Sequence, residues 1–119
     1  MSERLDKAED FLRSEVAPRA NQIDSDPVAL RTALMGLCRN GLIALRRPHK
    51  YGGPESDESE FRAFQESVAR FSGSLAFLQT QHQSAVSMIA RGENEELKSR
   101  KLPAMGDGTL LMGIGFSQL

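Results

Sequence analysis

A single cysteine, Cys38, stands in the 119 residues, so no disulfide can form within the chain. Histidine is nearly as scarce. His49 and His82 are the two, and neither they nor Cys38 fall at the spacing of a ligand set, which argues against a metal site. An excess of charge of one sign is also missing. The 15 Lys and Arg are interspersed with 16 Asp and Glu for a net charge of −1, so no basic face for nucleic acid is expected. No apolar run approaches the ~20 residues of a membrane span. The opening MSERLDKAEDF is too charged for a secretory signal, and a cytoplasmic location is the expectation. Internal repeats and low-complexity tracts are absent. What is present is an ordinary globular composition, 39% hydrophobic and 26% charged, enough for one domain with one modest core.

The periodicity is that of helices. Leu5, Ala8, Leu12, Val16, Ala20 and Ile23 recur at three- and four-residue steps, so residues 3–24 read as one helix capped by Ser2. Pro18 falls inside that pattern and predicts a kink or a split. Asp26-Pro27 supplies an N-cap and a first-position proline to a second helix. Its apolar face is Leu30, Leu34, Leu37 and Cys38, and Asn40-Gly41 stops it. Leu42-Ile43-Ala44-Leu45 and Arg46-Arg47 then lead into a loop, PHKYGGPESD, over 48–57.

Asp57 with Glu60 fits a capping box for the next helix. That helix carries Phe61, Phe64, Val68 and Phe71, aromatic anchors of the expected core. Ser74 is the expected cap of a helix over 75–91, with Leu75, Leu78, Ala85 and Ile89 as its buried face. Its middle is unusually polar, Gln79-Thr80-Gln81-His82-Gln83-Ser84, and Gly92 ends it. A short helix near 94–101 runs into Leu102-Pro103. Beyond Gly106-Asp107-Gly108 the uncharged run 109–116 reads as a buried strand. The expected fold is therefore all-α, an up-and-down bundle of about four to five helices with one C-terminal β-strand segment. Residues 1–106 form the helical domain and 107–119 the strand. A lone strand has no ladder partner in such a chain. It suggests part of a larger protein, and an open edge that a second copy would cover, giving a homo-oligomer.

Few side chains point to chemistry. No nucleophile-elbow pattern is present. Gly106-x-Gly108 has Leu111 where a phosphate loop needs its third glycine, and a helix precedes it, so a strand-entry turn is the better reading. Cys38, on an apolar face, predicts a buried and inert thiol. His49 is expected to be exposed in its loop. Arg46-Arg47 could hold a phosphate, but two solvated arginines are the commoner case. His82 has two readings. It is a core histidine satisfied by a neighbouring backbone or amide group, or it helps line a ligand cavity walled by its helix.

The order of features carries more than any one of them. Ala17-Pro18-x-Ala20 precedes Asn40-Gly41-Leu42, then Pro48-His49-Lys50-Tyr51-Gly52-Gly53, then Arg91-Gly92-x-x-Glu95-Glu96-x-Lys98, Leu102-Pro103 and finally Phe116-Ser117-Gln118-Leu119. Over almost the whole chain this series resembles the N-terminal helical domain of the acyl-CoA dehydrogenase family. Pro48-x-x-Tyr51-Gly52-Gly53 and the stretch from Gly92 to Pro103 are its most family-like parts.

The resemblance implies an intact protein of three domains that binds FAD, usually assembles as a tetramer and acts on acyl-CoA. There a carboxylate takes the α-proton while hydride passes to the flavin. It implies that the helix 75–91 lines the acyl chain through Leu78, His82 and Ala85, and that Ser117 lies near the flavin. The residues 107–119 would begin the flavin-binding domain. No catalytic residue and no metal ligand is implied in this chain, and no bound FAD is expected for these 119 residues. Where the family commonly has a Leu-Thr-Glu-Pro-like motif, this sequence has Phe116-Ser117-Gln118-Leu119. That departure admits a flavin monooxygenase on the same fold. A stand-alone helical interaction module is a further alternative.

Overall fold

The computed structural model describes residues 2–112. Five helical rods make up the described residues. The first runs without a break from α1 (Glu3–Phe11) through a π-helical turn (Leu12–Val16) and a 3-10 turn (Ala17–Arg19) into α2 (Ala20–Ser25). The others are α3 (Pro27–Arg39), α4 (Glu58–Phe71), α5 (Gly73–Arg91) and α6 (Glu95–Asp107), with one further 3-10 turn at His49–Tyr51.

Pro18 explains the change of pitch in the first rod. It has no N–H to continue the α ladder, so the chain widens just before it, Ala17 N–H reaching back to the Leu12 carbonyl, and tightens across it. The resulting bend lays α2 against α3 and α5 while α1 stays on α4.

Caps set most of the other boundaries. Ser2 accepts from Leu5 N–H, Asp26 from Val28 N–H, Asp57 from Glu60 N–H and Asn94 from Leu97 N–H. The cap of α5 is Ser72, which accepts from Leu75 N–H, and not the expected Ser74. Ser74 Oγ instead donates to Asp24 on α2, 2.6 Å away. Glu60 does not close a full capping box. Its carboxylate takes Arg4 Nη1 at 2.5 Å and Ser56 Oγ at 2.7 Å.

The core has two parts. In the larger, Phe11, Leu12 and Val16 of the first rod meet Leu34 and Leu37 of α3, Phe64 and Val68 of α4 and Leu75 of α5. In the smaller, Ala85 and Val86 of α5 meet Leu102 and Met105 of α6. Leu42–Leu45, which belongs to no regular element, threads between them and is wholly buried.

The strand expected over 107–119 is not there among the described residues, which are all-helical. The helix expected near 94–101 continues through Pro103 to Asp107. Gly108 then turns the chain in the left-handed conformation (φ 80°). Thr109 and Leu110 N–H groups both fall back on the Ala104 carbonyl, at 3.1 and 3.2 Å. Leu110 packs on the smaller core and Leu111 on the larger. Over residues 109–112 the cap of α6 takes backbone donors that a strand would need for its ladder. Residues 113–119, Ser117 among them, lie outside the described residues.

Candidate functional site

The helix α5 packs on α2, α3, α4 and α6. Its polar middle is turned inward. Gln79, His82 and Gln83 are buried beside Leu75 and Val86. This shifts the buried face from the one expected, since Leu78 and Ile89 are only half-buried.

Each inward polar group has a backbone partner, as burial demands. Gln83, 0% exposed, donates from Nε2 to the Leu42 carbonyl at 2.8 Å and accepts Leu45 N–H on Oε1 at 2.8 Å. It also donates to Gln79 Oε1 at 3.1 Å. Gln79 donates to Gln65 on α4. His82 Nε2 lies 2.9 Å from the Met105 carbonyl, and its Nδ1 accepts Met112 N–H at 3.1 Å. Burial pushes the His82 pKa below the ordinary histidine value, against the opposing pull of the Met105 carbonyl.

The opposite side of α5 carries two exposed apolar side chains. Phe77 is 70% and Met88 56% exposed, and with Gln81 and Ser84 they fall at steps of four, three and four residues, one stripe of a helix. Leu78 and Ala85 border that stripe, and His82 lies behind it. Sequence reasoning missed Phe77 and Met88 because it sought the apolar face only as a core face. The two stand eleven residues apart, three helical turns, with only Gln81 and Ser84 between them on the stripe, so no apolar period marked them.

The remaining candidates are structural. Arg46 and Arg47 are not a solvated pair. Arg46 Nη1 donates to the Ser56 carbonyl at 2.7 Å. Arg47 runs under α6, with Nη1 3.5 and 3.3 Å from the Leu102 and Pro103 carbonyls. Its guanidinium fills the place a Cβ on Gly106 would take. Gly108 needs both its left-handed φ and the space beside Cys38 Sγ, so Gly106-x-Gly108 ends a helix and does not open a strand. Cys38 is half-buried and donates to the Asp107 carbonyl at 3.0 Å. Burial and the nearby Asp107 raise its pKa, which keeps the thiol protonated. His49 is exposed, with Nδ1 2.9 Å from the Gly53 carbonyl. Tyr51 Oη and Lys50 Nζ both donate to Glu95, at 2.5 and 3.3 Å. These bonds, the tyrosine first, hold the Glu95 carboxyl down at about 2.

No group of three or more metal-ligating side chains occurs among the described residues, and no described helix is long and apolar enough to cross a membrane. One hollow of about 610 Å³ is open and walled by Glu3, Asp6, Asp10 and Glu15 along with Lys7 and Arg39. Its carboxylates would repel a pyrophosphate.

These observations define a helical domain whose central helix is packed on one side and bare on the other. The sequence model of "Acyl-CoA dehydrogenase, N-terminal domain" matches residues 2–109, and the chain belongs to that family. It is 33% identical over 92 residues, 76% of its length, to "Probable acyl-CoA dehydrogenase fadE25" of Mycobacterium bovis. It is 29% identical over 115 residues, 96% of its length, to "Cyclohex-1-ene-1-carbonyl-CoA dehydrogenase" of Geobacter metallireducens. The chain spans 23% and 30% of the lengths of these two curated relatives. No solved structure matches it significantly.

Proposed function

We propose that the chain is the helical part of an FAD-dependent acyl-CoA dehydrogenase, and that the outer stripe of α5 forms one wall of its acyl-chain site. The single observation that carries this is the exposure of Phe77 and Met88 in line on one helix. A hydrocarbon chain gains by covering these two side chains. Leu78 and Ala85 support the stripe at its inner edge, and His82 supports it from behind. The proton-abstracting carboxylate and the flavin contacts belong to other parts of such an enzyme, with Ser117 toward the flavin side. The chain itself contributes no catalytic residue and holds no flavin alone. Its compartment is the cytoplasm.

A second reading rests on the same stripe. Two exposed apolar side chains on one helix also suit a protein partner, including a second copy of this chain. Titration with octanoyl-CoA, followed by NMR of the Met88 methyl and the Phe77 ring, separates the two. Shifts confined to the outer stripe, absent with CoA alone and lost in Phe77→Asp, support the acyl site. No response to octanoyl-CoA, together with dimerisation that Phe77→Asp abolishes, would transfer the stripe to a protein partner.

A further inference from the structure

We propose that His82 is a proton-operated latch: its neutral ring fastens the segment Thr109–Met112 onto α5 and α6, and a protonated ring releases the Met112 end. This goes beyond the acyl-site reading and does not depend on it.

The ring is 2% exposed. The Met105 carbonyl, 2.9 Å from Nε2, can only accept, so Nε2 carries the hydrogen. Nδ1 is then bare, and it accepts Met112 N–H at 3.1 Å. The two nitrogens thus hold two different pieces of backbone, the last turn of α6 and the segment beyond Gly108. A second proton on Nδ1 would set one N–H donor against another. The Met105 bond survives that change, so protonation acts on Met112 alone. The near half of the segment is held differently, by the Ala104 carbonyl and by the packing of Leu110 and Leu111. Release therefore starts at Met112.

Gln79 and Gln83 are the ring's buried polar neighbours along α5. On the α6 side the charged groups are Arg47, spent on the Leu102 and Pro103 carbonyls, and Asp107 at the helix end. Among the described residues no charged side chain contributes to its titration; burial acts first and the Met105 carbonyl second. The docked ring is held below the ordinary histidine value, which is near ~6.5. Docking is therefore at full strength above ~6.5 and weakens as pH falls below it, until the docked ring itself takes a proton.

The experiment is an NMR titration of the chain from about pH 8 to about pH 5, across the ordinary histidine range. It follows the His82 ring and the exchange protection of the Met112 amide. Protection of Met112 should fall by up to ~tenfold per pH unit below 6.5, the limit for one linked proton. The amide and the ring should share one midpoint. His82→Asn places an uncharged acceptor near the position of Nδ1, and Met112 protection should then be flat with pH. Separate midpoints for ring and amide in the unmodified chain would overturn the latch, as would a pH response of Met112 that persists in His82→Asn. If His82→Asn does not fold, the shared or separate midpoint decides by itself.

Discussion

Glycine is the residue at which this fold is least forgiving, and not every glycine is equal. Gly53 is buried, and a Cβ there would overlap the carbonyl and Cβ of Arg47, which are backbone-fixed atoms. Gly53→Ala should therefore cost about 1–3 kcal/mol or more, since neither partner can move aside. Gly73, the first residue of α5, is exposed with nothing near its would-be Cβ. Gly73→Ala should stabilise by about 0.5 kcal/mol through the unfolded chain. Urea denaturation of both variants checks the contrast, and equal effects would refute it. The Gly52-Gly53 pair was legible in the sequence as a loop. That it wraps Arg47 was not, because the arginine's direction depends on α6, 55 residues away in its Leu102 contact.

Among the elements, the connection Leu42–Leu45 is the one that most needs help. It is buried without helix or strand to absorb its backbone groups, and the Gln83 amide supplies an acceptor for Leu45 N–H and a donor for the Leu42 carbonyl. Gln83→Leu keeps the volume and orphans both groups. At about 1–3 kcal/mol for each buried unsatisfied group, the loss should be ~2–6 kcal/mol. Gln81→Leu on the outer stripe is the control, expected to lie within ~0.5 kcal/mol. Thermal or urea unfolding reads both.

The helices themselves were largely legible. Ser2, Asp26-Pro27, Asp57 and Gly92 mark boundaries the structure keeps, and Pro18 announced the bend. The failures have physical causes. Ser72 and Ser74 are equally good caps on paper, and Asp24 on another rod claims Ser74. Pro103 reads as a stop, yet the helix goes on to Asp107. The run after Gly108 has the composition of a strand. Its fate was decided by the left-handed turn at Gly108, the Ala104 carbonyl and the His82 ring, none of which periodicity can express. The polar middle of α5 was visible, but its face was not. Outward glutamines are the usual case, and only the backbone groups of Leu42, Leu45, Met105 and Met112 make the inward arrangement favourable.

Taken whole, the molecule measures 41 × 36 × 24 Å, and its thin dimension admits two layers of helices. The helix α5 packs on four others, yet in a body two layers thick it cannot be covered on both sides. One face must be left open, and the sequence places Phe77 and Met88 on it. The two family-like stretches lie at the other side of the same problem. Lys50 and Tyr51 meet Glu95, and Arg47 meets Leu102 and Pro103, so together they clamp the loop to α6. The resemblance to the family is in this part a record of packing. The bare stripe is what the fold leaves over for a ligand or partner.

If that division holds, replacing Phe77 and Met88 together by serine should change the unfolding free energy by no more than ~0.5 kcal/mol, as for exposed positions generally. Val86→Ser, on the buried side of the same helix, should cost several times more. It removes buried methyl groups and brings in a hydroxyl that needs a partner. Urea unfolding at two protein concentrations measures both. A loss above ~1 kcal/mol for the double serine variant, present only at the higher concentration, would mean that a second copy covers the stripe. The same loss at both concentrations would mean that the chain's own residues cover it, and the division of α5 into a core face and a free face would be wrong.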